Sequence, residues 1–90
     1  MPHPAIVRAG AQALQALGLP ATLNGADAGR VHVARSVRLV LDNMEVTRDV
    51  ATISNTVSPR TGMTLVHPDG TWHLDVKISD NGVNRRYVLV

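Results

Sequence analysis

"MTLVHPDGTWHLDVKISDNGVNRRYVLV", residues 63–90, is the stretch on which the fold turns. Within it Trp72, Leu74, Val76 and Ile78 alternate with His73, Asp75, Lys77 and Ser79. A period of two puts the apolar set on one face of a half-buried strand. "HPDG" separates this strand from "MTLV", and "DNGVN" separates it from "RRYVLV". Asp-Gly and Asn-Gly pairs supply the positive-φ positions that tight hairpins need. Two successive hairpins make a three-stranded C-terminal meander.

The same stretch holds His67, Asp69, His73 and Asp75, which raises the question of a metal or acid–base site. A two-residue turn at Asp69-Gly70 sets His67 opposite Trp72, and a four-residue loop pairs Val66 with Thr71. Both leave His67 on the Trp72 side or in the loop, and His73 and Asp75 on the opposite face. Zinc needs three or four ligands converging at about 2 Å, and a catalytic pair needs hydrogen-bond reach. Asp69 is read as a turn residue whose side chain bonds the backbone ahead of it. Ser36, Ser54, Ser58 and Ser79 lack a nucleophile-elbow context, "NGADAG" lacks the helix start that cradles a phosphate, and Glu45 has no acidic partner in the pattern. The sequence therefore predicts no catalytic residues, no metal and no cofactor.

Outward from the meander, "SPRTG" at 58–62 reads as a turn and residues 50–56 as extended chain. Residues 42–60 read as a long connection, irregular before Val50, of the kind that is mobile in a free subunit and orders against a neighbour. In "RVHVARSVRLVLDN" Val31, Val33, Val37, Leu39 and Leu41 are apolar, and Arg35 breaks the alternation. A bulge near Ala34-Arg35, or two short strands in place of one, accounts for it. "ATL", "NG" and "ADAGRVHV" form a further hairpin. "PAIVRAGAQALQAL" predicts a helix over about 4–17, with Pro4 in its first turn and Gly18 and Pro20 ending it. Ile6, Gly10, Ala13, Leu14 and Leu17 share one face of it.

The expected fold is mainly β: one domain spanning 1–90, a small barrel or sandwich of about six strands over 21–90, preceded by that single helix. Hydrophobic residues make up 44%, yet there is no Phe, and Trp72 and Tyr87 are the only aromatics, so the core must be aliphatic. Absence of cysteine removes disulfides and Cys-ligated metals. No run approaches the ~18 apolar residues of a membrane span, and no export signal opens the chain, so a soluble protein is expected. The net charge is +2, with the basic residues scattered and only Arg85 and Arg86 adjacent. A duplex-binding surface concentrates such charge, and a single-strand binder needs stacking aromatics.

The succession "LGLPATLNG", "VRLVLDNMEV" and "VATISNTVSPRTGMTLVHPDGTWHLDVKISDNGVNRRYVLV" resembles the small head-tail joining proteins of long-tailed bacteriophages, the lambda-like head-completion or stopper proteins. The likeness runs from Leu17 to Val90 and is strongest from Ser58 onward. It rests on the turn Pro59-Arg60-Thr61-Gly62, the strand Met63–Val66, the aromatic strand Trp72–Ile78, the turn Asp80-Asn81-Gly82 and the closing strand Tyr87–Val90. Met63 stands where that family commonly has an acidic residue. The resemblance implies a structural virion protein, assembled in the bacterial host cytoplasm as a hexameric or dodecameric homo-oligomeric ring. Its partners would be the portal or an adaptor on one side and a tail-terminator or tail-tube protein on the other. DNA crossing the lumen would be touched without sequence preference, and Arg48, Arg60, Arg85 and Arg86 are the candidate interface or lumen residues. The alternative expectation is a small β-barrel that binds nucleic acid or protein and is no part of a virion.

Overall fold

The structure, a computed structural model, describes residues 18–90, so the helix expected over 4–17 lies outside the described residues. Six strands follow: β1 (Leu19–Leu23), β2 (Ala26–Leu41), β3 (Met44–Ser54), β4 (Thr64–His67), β5 (Gly70–Asp80) and β6 (Asn84–Leu89), with a 3₁₀ turn at Asn55–Val57. All pairings are antiparallel, and β1-β2-β3-β6-β5-β4 closes on itself as a barrel. Two meanders, β1–β3 and β4–β6, thus lie side by side. The predicted C-terminal meander is the second of them.

Asn24 and Gly25 both take positive φ, 49° and 82°, which suits a two-residue turn to the right-handed twist of the strands it joins. Asp42 and Asn43 do the same between β2 and β3, at 50° and 61°. The expected irregular segment before Val50 is therefore absent. Met44–Ser54 is strand throughout, and the chain from 42 to 60 is a hairpin return, a strand and a capped turn, with no long connection. Continuous pairing with β2 supplies the backbone order that the Thr- and Asp-interrupted sequence does not advertise.

β2 is one strand of sixteen residues, not two short ones. The broken alternation is a bulge: pairing passes from Ala34↔Val50 to Val37↔Arg48, setting Arg35 and Ser36 against Asp49 alone. Ser36 takes φ 55°, and its freed N–H donates to Asp49 Oδ1 at 3.1 Å.

The core is aliphatic, as composition requires: Ala21, Leu23, Val31, Ile53, Leu65, Leu74 and Leu89 are buried around Tyr87, and Val33, Met63 and Trp72 pack on its margin. Tyr87 brings its hydroxyl inside and donates it to Pro59 O at 2.9 Å. One expectation fails here. Val76 alternates with Leu74 in sequence, but pairing jumps from Leu74↔Leu89 to Lys77↔Tyr87, and this extra residue turns Val76 outward.

Candidate interaction surface

The polar groups of 66–76 separate as strand parity requires. Val66 pairs with Thr71 and His67 with Gly70, so Leu65, His67 and Trp72 share the inner face. His67 is buried. Asp69 N–H donates to its Nδ1 at 3.1 Å, which leaves Nε2–H to donate to Val31 O at 3.0 Å. Both ring nitrogens are satisfied by backbone, the arrangement of a neutral structural histidine. His73 lies on the outer face against Thr64 Oγ1 at 3.2 Å. Among the described residues no three His, Asp or Glu side chains group as metal ligands.

Arg35, pushed out by the β2 bulge, lies with its guanidinium carbon 5.6 Å from the Trp72 ring centroid and donates to Asp69 O. Trp72 is thus covered by a cation on one side and meets the His67 ring, centroid to centroid, at 6.5 Å. Tyr87 is buried. Neither aromatic stands out as a stacking platform.

The four candidate arginines are not brought together. Arg60 is exposed in the 58–62 turn, Arg86 is half-buried on β6 opposite Thr52, and Arg48 lies on the distal part of β3, its Nη1 donating to Thr47 O. Arg85 is tied into the fold: Nε meets Asp80 Oδ2 at 3.1 Å and Nη1 donates to Pro59 O at 2.9 Å. Its removal unties the β5–β6 turn from the 58–62 loop, so a double Arg85/Arg86 replacement reports on folding as well as on any partner.

Asp80 is the centre of that tie. Asn55 Nδ2 and Gly82 N–H both donate to its Oδ1, at 3.1 and 2.9 Å, and Arg85 and Lys77 face Oδ2. The Asn55 hydrogen bond foremost, then the Gly82 N–H and the Arg85 charge, lower its pKa from 3.8 to about 2. A folded pKa below the unfolded one adds stability that is complete above about pH 4 and lost as pH falls through 2. Asp80→Asn should therefore lower the urea midpoint at pH 7 and flatten its decline between pH 4 and pH 2. Parallel declines in the two proteins would remove Asp80 from the acid response.

The feature that sequence reasoning missed is an arm. β1 pairs with β2 only as far as Val31, and β6 pairs with β3 only from Asp49 onward. Between these limits Val37–Leu41 and Met44–Arg48 pair only with each other. Among the described residues no third strand flanks them. Paired residues share a face, so Val37, Leu39, Leu41, Met44, Val46 and Arg48 form one side of the arm, continuous with Val50. Because the bulge adds one residue, this side is the outer face of the barrel, although Val31 and Val33 of the same strand point inward. The other side carries Arg38, Val40, Glu45 and Thr47, with Arg38 and Glu45 at 3.9 Å. Val40 and Met44, near the tip, are 73% and 65% exposed. The available signal was "VRLVLDNMEV", two alternating runs around a pair of residues tolerant of positive φ.

A free two-stranded hairpin is marginal in water, and apolar residues at its end gain nothing from the barrel's own core. Fold and surface together define a closed antiparallel barrel with a projecting apolar hairpin. No protein-family model matches the sequence, and no curated protein matches it.

Proposed function

We propose that this chain is a structural virion protein of the phage head-tail connector, assembling as a ring between portal and tail to complete the head and attach the tail. The observation that carries this reading is the arm: a projecting hairpin whose tip exposes Val40 and Met44 suits a subunit completed by neighbours. The order of turns and strands from Ser58 to Val90, on which the resemblance rests, supports it as well. Arg48, Arg60 and Arg86 are the groups proposed to meet neighbours or DNA in the lumen, with Arg85 tying the β5–β6 turn to the 58–62 loop.

Electron microscopy of virions with the chain labelled tests this directly. A ring of the protein at the portal-tail junction is the expected result. Particles that lack the protein overturn the reading, and salt-dependent retention of the purified chain on short DNA would then favour a binding module outside the virion.

A further inference from the structure

We infer that the arm of one copy docks, tip first, into the seam between β1 and β4 of a second copy, so that the chain associates head to tail. The inference deepens the ring reading and rests on it for its repeating geometry.

The receiving surface comes from the weakest junction of the barrel. β1 and β4 share only two pairs, Thr22↔Val66 and Leu23↔Leu65, and the β1–β2 register shifts between Pro20 and Thr22. Beyond Thr22 the two strands part. An apolar depression opens there between Pro20, Ala21 and Thr22 on one side and Val66, His67 and Pro68 on the other, with Asp27 on its rim. Val66 is 48% exposed. Proline has no N–H, so neither Pro20 nor Pro68 can donate to an added strand. The depression takes side chains, not a seventh strand.

The entering surface is the arm tip. Met44 is exposed beside the Asp42-Asn43 turn, and an unbranched thioether side chain fits an irregular apolar hollow. Arg48 projects from the same side of the arm as Met44 and would supply a cation to Asp27, the one carboxylate among the described residues that line the depression. The arm cannot serve its own seam. Asp27 stands near the start of β2 and the arm tip at its end, and an extended strand carries the two apart by about 3.3 Å per residue. An arm that docks there belongs to another copy, and two unlike surfaces on one subunit give the heterologous contact that closes rings.

Sedimentation velocity on the whole chain tests this with two variants at exposed positions, Met44→Glu for the arm and Val66→Glu for the seam. Wild type should associate as concentration rises, and each variant alone should weaken association by at least ~30-fold, since either buries an unpaired carboxylate. A 1:1 mixture of the two should form a heterodimer and stop there: the intact arm of Val66→Glu enters the intact seam of Met44→Glu. Circular dichroism of each variant establishes that it is folded. A mixture that stays monomeric, a variant that associates as well as wild type, or a wild type that is monomeric at about 1 mM overturns the inference. Particles that contain the protein beside a failed mixture overturn this contact and leave the connector reading standing. Complementation with a chain absent from particles does the reverse.

Discussion

Leu65→Ala should cost about 3 kcal/mol of folding stability. Leu65 is fully buried on β4, a strand of four residues, and pairs with Leu23 on one side and Trp72 on the other. Truncation removes the transfer free energy of the lost carbons and leaves a void. Both flanking strands are held by their own ladders, so the wall cannot settle inward to fill it. A domain of this size holds about 5–10 kcal/mol in all, so one side chain consumes a large share. Urea unfolding at unchanged m-value would report the loss as a lowered midpoint. Val66→Ala, one residue on and facing outward, should cost less than about 0.5 kcal/mol. A Leu65→Ala cost below about 1 kcal/mol would mean that the β1–β4 junction contributes little to the core.

Gly70→Ala should cost about 2 kcal/mol, from two sources that can be separated. Gly70 has φ 153°, where L side chains are strained. A Cβ there would also sit 3.1 Å from Trp72 Cη2 and within 3.5 Å of two further indole carbons. The ring has little freedom to retreat, with Arg35 and His67 already against it. In a Trp72→Leu background the steric part disappears and the backbone part remains, so the cost should fall to about 1 kcal/mol. Equal costs in the two backgrounds would show that the indole contact does not matter. Trp72 is the only tryptophan, so its fluorescence reads the displacement directly in Gly70→Ala.

The second meander was legible because its alternation and its turn residues agree, and a count of about six strands, without the bounds of β3, followed from repeating that reading along the chain. The interruption at Arg35 was legible too, as a bulge or as a break between two short strands, and the pairing with β3 decides for the bulge. What the sequence hides is register. The run from Trp72 to Ile78 alternates without a break, yet pairing with the shorter β6 forces extra residues into β5 and exposes Val76. A bulge imposed by a partner leaves no mark on the strand that carries it. β3 was hidden for a related reason, because pairing with β2 gives order to residues whose own pattern is indistinct. The polar cluster was resolved by parity alone, whereas the burial of His67 between two backbone groups depended on how the barrel closes around it. Arg85 shows the same limit: adjacency to Arg86 suggested a surface pair, and the fold spends it on Asp80 and Pro59.

The β2 bulge also takes up one residue of chain length without turning the arm. Deleting Ser36 would set Arg35 alone against Asp49 and leave Val37 opposite Arg48, so Val37, Leu39 and Leu41 keep their side. A lineage could thus gain or lose one codon at this position and retain the chemistry of the whole appendage, because the Asp42-Asn43 turn and the pairing with β3 hold the register beyond it.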